Sequence, residues 1–362
     1  MRNGIFLFVV FFSLIGVNTC ETELLSTCNM AGKMMKAVIA EAGKLVLVER
    51  PVPAVKVGEV LVKVHFTAIN RADTLQRKGL YPVPAGQTDI FGLEMSGVVE
   101  GKDGETWKAG TEVMSLLNGG GYAEYVAVNE NLLMPVPKGL DLRTAAGIPE
   151  TWLTAFQLLH TVTGVKSGDT VVVHAGGSGV GTAATQLAVN AGCRVFVTAG
   201  TQRKIAKGVE LGAAGGANYK EEDWAEKVLE MAGNDGVQSV LDCVGSSYWK
   251  QNAKVLSVDG RWTLYGLMGG ANIDGPLLAM MLRKRLRLEA TTLRSRSDEY
   301  KAELTAAFAD HSLGLFESGE YSVIVDEKSF SLNDVQLAHD YMESNANIGK
   351  ILVQVAGLDG SL

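Results

Sequence analysis

Hydrophobic and polar positions along the chain fall into two regimes. From Met35 to about Ala127 short runs alternate between apolar and polar residues and are broken by glycine and proline. Glu59-Val60-Leu61-Val62-Lys63-Val64 is the clearest of them and has the pattern of a half-buried strand. Lys36–Ala40, Gly97–Glu100 and Tyr125–Val128 predict further short strands. Pro51-Val52-Pro53, Pro82-Val83-Pro84 and Asn118-Gly119-Gly120-Gly121 predict turns between them. This region is expected to be a compact β unit with few helices.

After Pro149 the period changes. Trp152–His160 predicts a helix, and Thr170–His174 is a continuous apolar run of the kind buried in a parallel sheet. Ala184, Leu187, Ala188 and Ala191 lie on one face of a helix that starts near Gly181. Strand and helix then alternate: strand Arg194–Thr198, helix Gln202–Leu211, strand Ala217–Tyr219, helix Glu222–Met231, strand Val237–Asp242, helix Tyr248–Leu256, strand Arg261–Tyr265. Alternation of this kind predicts an α/β fold with a doubly wound parallel sheet. Beyond about Leu293 the period loosens, until Gly349–Val355 predicts a closing strand.

The first 29 residues stand outside this pattern. A short cationic start precedes an apolar run from Ile5 to Val17, which matches a signal-peptide core and is too short to span a bilayer. Two readings fit. Either the segment directs secretory or ER entry, or translation starts at Met30, Met34 or Met35 and the protein is cytoplasmic. No other segment approaches membrane length, so no stable membrane span is expected.

With 362 residues, two domains are the default. Charged residues make up 20% and hydrophobic ones 47%, an ordinary globular balance. The net charge is −7 and no basic block interrupts it, which disfavours a nucleic-acid or anionic-membrane partner. Cys20, Cys28, Cys193 and Cys243 form no CxxC pair, and the five histidines show no HxxxH spacing. The usual zinc arrangements are thereby excluded, and the chemistry is expected to rest on an organic cofactor.

The run Gly176-Gly177-Ser178-Gly179-Val180-Gly181 follows the apolar strand and opens the amphipathic helix. It is a GxGxxG pattern with Ser178 in place of the second glycine, and a second strand follows about twenty residues on. A tight turn, a small residue at the close approach and unpaired helix N–H groups suit a dinucleotide diphosphate. Ser178 is small enough to keep that approach. The second strand ends in Thr198-Ala199-Gly200-Thr201-Gln202-Arg203-Lys204, without the carboxylate that usually accepts from the NAD ribose. Thr201, Arg203 and Lys204 instead offer a hydroxyl and positive charge, which favours NADPH.

With these motifs the chain resembles the medium-chain dehydrogenase/reductase superfamily. More narrowly it is similar to the zinc-independent, zeta-crystallin-like quinone oxidoreductases, above all their tumour-suppressor-inducible branch. The resemblance runs from about Met35 to Val355. It rests on Asn70-Arg71-Ala72-Asp73, Gly92-Leu93-Glu94, Gly120–Tyr125, Ala145–Ala155, His174–Gly181 and Leu264-Tyr265-Gly266. It implies a GroES-like β domain over 35–153 and 293–356, and a Rossmann NADPH-binding domain over 154–292. Leu93 stands where the zinc-dependent relatives carry histidine, so metal-independent reduction is implied.

Carried over from the resemblance, Gly176, Ser178, Gly179, Val180 and Gly181 hold the diphosphate. Thr201, Lys204 and Tyr219 face the adenosine phosphate. Asp242, Val244, Gly245, Tyr265, Gly266 and Leu267 form loops beside the nicotinamide, with Leu293 and Arg294 as a further cofactor-facing stretch. Tyr81, Asn70 and Ser178 are the catalytic candidates that orient the acceptor. The implied function is NADPH-dependent reduction of a small quinone in the cleft between the domains of a homodimer. The alternatives are an NADPH-dependent enoyl or enone reductase and a crystallin-like NADPH-binding protein without turnover.

Overall fold

The computed structural model describes residues 32–101, 104, 106–233 and 235–356, so the expectations for residues 1–29 lie outside it. Strands β1 (Met34–Glu41) and β2 (Lys44–Pro51) form an antiparallel pair. Then come β3 (Glu59–Ile69), β4 (Glu94–Glu100), β5 (Glu112–Leu116), β6 (Tyr125–Asn129) and β7 (Leu133–Pro135). The alternating series follows as β8 (Thr170–Val173), β9 (Arg194–Ala199), β10 (Gly215–Asn218), β11 (Val237–Asp242), β12 (Leu256–Leu264) and β13 (Arg287–Ala290). β14 (Val325–Ser331) and β15 (Lys350–Gln354) close the described chain.

One sheet has the order β14-β15-β3-β4-β5-β7, with β6 paired to β3. The closing strand thus returns to the first region, with Ile351 opposite Ile69 and Val353 opposite Thr67. β3 is the hub. Its Val60, Val62 and Val64 are buried against Val38, Met95, Val113 and Val126. The second sheet is parallel throughout, in the order β10-β9-β8-β11-β12-β13. Val171, Val172 and Val173 of β8 are fully buried at its centre, as the continuous apolar run predicts. Strand order reverses across β8, since β9 lies on one side and β11 on the other. That is the topological switch point where open α/β sheets bind ligands.

The structure departs from the pattern in several places. The helix expected from Trp152 begins at Pro149, where proline suits the first helical turn. After Phe156 it widens into π-helical turns over Gln157–Thr163, closed by Gly164 at φ 60°. β12 begins at Leu256, five residues before the predicted strand, and is followed by a helix, Leu277–Lys284, and the exposed strand β13. The loosened period after Leu293 hides a 20-residue helix, Asp298–Glu317. Its buried side carries Lys301, Leu304, Thr305, Phe308, Ser312 and Phe316. The spacing is helical but half the stripe is polar, so apolar periodicity cannot show it.

Candidate functional site

The glycine-rich turn joins β8 to the helix Gly179–Asn190 at the switch point. Ser178 is the N-cap of that helix, its Oγ accepting from the Gly181 N–H at 3.0 Å. Two glycines of the turn are packing necessities. A Cβ on Gly181 would lie 2.3 Å from the Ala175 carbonyl oxygen, and one on Gly176 would lie 2.5 Å from the Val197 Cβ. Gly177 and Gly179 instead form the wall of a cavity of about 230 Å³. A Cβ there would strike the Lys204 Cγ at 2.8 Å or the Lys350 Cδ at 2.7 Å. The first-turn N–H groups of a helix have no intrahelical partner, and Gly179 and Val180 of that turn line the cavity. This is a cradle of the size and polarity that a dinucleotide diphosphate needs.

Three cations line the cavity among the described residues, Arg71, Lys204 and Lys350, and no aspartate or glutamate does. Lys350 is paired with Glu94, so Arg71 and Lys204 carry the positive charge of the cavity wall in a chain whose net charge is −7. At the β9 end, Thr201 caps the helix Gln202–Glu210 by accepting from the Lys204 N–H at 3.4 Å. Thr201 therefore sets the position of Lys204. The Lys204 ammonium reaches across the cavity to donate to the Asn345 carbonyl at 2.7 Å. Burial, followed by the charge of Lys220, holds Lys204 below the usual lysine range. Tyr219 lines the same end and is 44% exposed.

Behind the β11 end, Asp242 is fully buried and accepts from the N–H groups of Val244 and Gly245 at 2.6 and 3.0 Å. Asn252 Nδ2 and Trp262 Nε1 donate to its other oxygen, both at 2.9 Å. Asp242 thus shapes the loop through hydrogen bonds that occupy both oxygens. Cys243 and Tyr265 line the cavity, and burial pushes the Cys243 thiol up to about 12, so it is no nucleophile at neutral pH. Gly266 packs on Cys243, where a Cβ would lie 2.9 Å from the Cys243 oxygen. Leu267 is 54% exposed beside this wall, whereas Leu293 is 5% exposed within the hydrophobic core.

On the opposite side, Asn70 follows β3 and caps the short helix Arg71–Arg77, an element the strand pattern did not foretell. Its amide is fully engaged. Nδ2 donates to Glu94 Oε1 at 2.8 Å, and Oδ1 accepts from the Lys350 ammonium at 2.7 Å. Lys350 and Glu94 also form a buried ion pair at 2.7 Å. Glu94 Oε2 accepts from the Glu150 N–H at 2.8 Å, and Asp73 accepts from the Asn70 N–H at 2.8 Å. Asn70 therefore lines the cavity as a fixed wall. Tyr81 is different. Its hydroxyl has no hydrogen-bond partner among the described residues, its ring lies 5.6 Å from the Arg294 guanidinium, and burial raises its pKa. Arg294 is held by the Asn118 carbonyl at 3.1 and 2.7 Å and by Gln76 at 2.7 Å.

Sequence reasoning did not single out Lys350, Glu94, Asp73, Glu150 or Arg71 as functional. Burial, followed by the neighbouring Glu94 charge, pushes the Glu150 carboxyl up to about 8, and burial pushes Asp73 up to about 6. Four of the five stand inside motifs already quoted, at positions 71, 73, 94 and 150, and polarity inside an apolar setting was the available signal. Lys350 could be found only through the return of β15 beside β3.

Comparison with known proteins agrees with this architecture. The alcohol dehydrogenase GroES-like domain profile matches residues 56–138, and the zinc-binding dehydrogenase profile matches residues 179–309. Despite that family description, no cluster of three or more His, Cys, Asp or Glu able to hold a metal occurs among the described residues. The chain is 30% identical to the Sus scrofa quinone oxidoreductase over 260 residues, 71% of this chain and 78% of that protein. The solved Escherichia coli quinone oxidoreductase, complexed with NADPH, superposes with a TM-score of 0.79 at 28% identity, covering 89% of this chain and 99% of that one. An NAD-dependent alcohol dehydrogenase superposes with a TM-score of 0.78 at 30% identity, covering 89% and 100%. A GroES-like β unit, a parallel sheet with a glycine-rich turn at its switch point and these relatives together make the chain a member of the quinone oxidoreductase branch of the medium-chain dehydrogenase/reductase superfamily.

Proposed function

We propose that this oxidoreductase uses NADPH to reduce small quinones, and that it does so without a metal ion. The observation that carries the reading is a cavity at the switch point lined by three cations and no carboxylate. An NAD ribose usually meets an Asp or Glu at the end of the second strand, and here that end offers Lys204 and Tyr219. The turn from Ser178 to Val180 would hold the diphosphate, while Cys243 and Tyr265 border the nicotinamide half. The nicotinamide supplies a hydride when bound. Buried Leu93, 1% exposed, is consistent with metal-free chemistry.

Quinone reduction to the hydroquinone takes up one hydride and one proton, so a proton donor and an oxyanion partner are needed. Tyr81, with its free hydroxyl, is assigned to orient the acceptor oxygen, and Glu150 holds its proton through neutral pH. Asn70, committed to Glu94 and Lys350, shapes the cleft and contacts no acceptor through a spare donor. Residues 154–292 act as the nucleotide-binding unit, and 35–153 with 293–356 as the acceptor-binding unit. The outer strand β13 is exposed along its length, and nearby Leu278 and Leu282 are 80% and 81% exposed, which supports pairing of two chains along this face.

An acceptor screen tests the reading. Chelator-treated protein should oxidise NADPH with ortho-quinones faster than with enones or enoyl thioesters. Faster turnover of an enone or enoyl thioester would make the chain an activated-alkene reductase. Tight NADPH binding with no turnover would make it a binding protein.

A further inference from the structure

His174 follows β8 and is fully buried, with the rings of Trp224 and Tyr248 edge-on to it at 4.8 and 4.9 Å. It does not line the cavity. Its Nδ1 lies 2.8 Å from the Thr198 hydroxyl of β9, and its Nε2 lies 2.8 Å from Asn252 Oδ1 on the helix Trp249–Val255. Asn252 Nδ2 in turn donates to Asp242 at the end of β11. One imidazole thus ties together the ends of the three strands that meet at the switch point. The protons in this chain have one arrangement. Asp242 is met by three N–H groups that cannot turn round, those of Val244, Gly245 and Trp262, so it is an acceptor. Asn252 must then offer it the amide nitrogen and turn its oxygen to His174. The His174 Nε2 therefore carries the proton and donates, and Nδ1 accepts from the Thr198 hydroxyl. Burial lowers the His174 pKa, which keeps the ring neutral as this arrangement requires.

The next residue is strained. Ala175 has φ 53°, a left-handed conformation that a residue with a Cβ rarely adopts, and its carbonyl accepts from the Ser178 N–H at 2.8 Å to start the glycine-rich turn. Such a conformation persists only where the neighbouring structure over-determines it. On one side of Ala175, His174 is fixed by its side chain and by its main-chain N–H, which donates to the Leu241 carbonyl of β11 at 3.2 Å. On the other side, the Gly176 N–H donates to the Thr198 carbonyl at 2.9 Å. Thr198 therefore grips the strained residue from both ends, through its hydroxyl to His174 and its carbonyl to Gly176. We propose that His174 is a positioning residue for the dinucleotide: acting through Thr198 and the Asn252–Asp242 pair, it holds Ala175 in the left-handed conformation and so fixes the glycine-rich turn relative to the loop that follows β11. It touches no cofactor atom itself. The proposal rests on the dinucleotide reading and adds to it a buried residue behind the site. No covalent step is involved.

Nitrogen NMR of the cofactor-free protein, labelled in histidine, reads the tautomer directly. His174 should show a protonated Nε2 and an unprotonated Nδ1 at neutral pH, and a protonated Nδ1 would overturn the hydrogen-bond order and the proposal with it. Two variants then probe the effect on binding. Thr198→Val keeps the side-chain shape and removes the hydroxyl, whereas His174→Gln keeps a donor for Asn252 and removes the acceptor for Thr198. Each should weaken NADPH binding in calorimetric titration about tenfold, the scale of one buried hydrogen bond left unmade. At saturating NADPH, kcat should stay within about twofold, because the loss falls on binding. Adding Ala175→Gly, for which the left-handed region carries no steric cost, should recover most of the affinity in either background. A residue that only stabilised the fold would give no such recovery. Thr198→Val carries the test alone where His174→Gln does not fold. Wild-type affinity in Thr198→Val, or a loss that Ala175→Gly leaves untouched, would overturn the assignment alone. A wild-type chain that binds neither NADPH nor NADH would overturn the dinucleotide reading and the assignment with it.

Discussion

The carboxyl of Glu150 has no hydrogen bond among the described residues, and its main chain is tied to Glu94 at 2.8 Å. Its pKa of about 8 in the folded chain stands against an ordinary glutamate value of 4.5. A raised carboxyl pKa means that the folded state holds a proton the unfolded state releases. Stability therefore falls as pH rises from about 4.5 and levels off above about 8. Glu150→Gln removes that proton linkage. Urea midpoints measured at pH 5, 7 and 8.5 should show a wild-type decline that the variant lacks, on the order of 2 kcal/mol after allowance for solvent screening. Parallel declines in both proteins would show that Glu150 ionises normally and does not hold its proton through neutral pH. Asp73, raised to about 6, contributes a decline of the same sign in both proteins, so the difference between them isolates Glu150.

At the scale of elements, the glycine-rich turn combines structural and binding demands within six residues. Ser178 caps the helix Gly179–Asn190, so Ser178→Ala should cost about 1 kcal/mol of stability by denaturant titration and Ser178→Gly only a few tenths. Equal stability of all three would show that the Gly181 N–H finds water instead. The parallel series was legible because buried strands such as Val237–Asp242 and one-faced helices each keep a period that burial enforces. The helix Asp298–Glu317 was not, because its buried stripe includes Lys301, whose ammonium is satisfied by Asn118 and the Arg294 carbonyl at 2.7 and 3.0 Å. Ser178 and Thr201 were legible as small polar residues at helix starts, although their hydroxyls serve as caps in this structure. The Asn70–Glu94–Lys350 network was illegible because the pairing of β15 with β3 brings Lys350 to Asn70 across 280 positions of sequence.

For the whole molecule, the account reduces to one electrostatic statement: an acidic chain brings Arg71 and Lys204, beside a Lys350 paired with Glu94, to a single cavity at the point where the parallel sheet reverses its order. Such a cavity should prefer the nucleotide with the additional phosphate. The direct measurement is calorimetric titration of chelator-treated protein with NADPH and with NADH, repeated for Lys204→Ala. The wild type should bind NADPH about ten- to a hundredfold more tightly than NADH, and Lys204→Ala should lose most of that preference while keeping its NADH affinity. Equal affinity of the wild type for the two cofactors, or an equal loss of both in Lys204→Ala, would contradict the account.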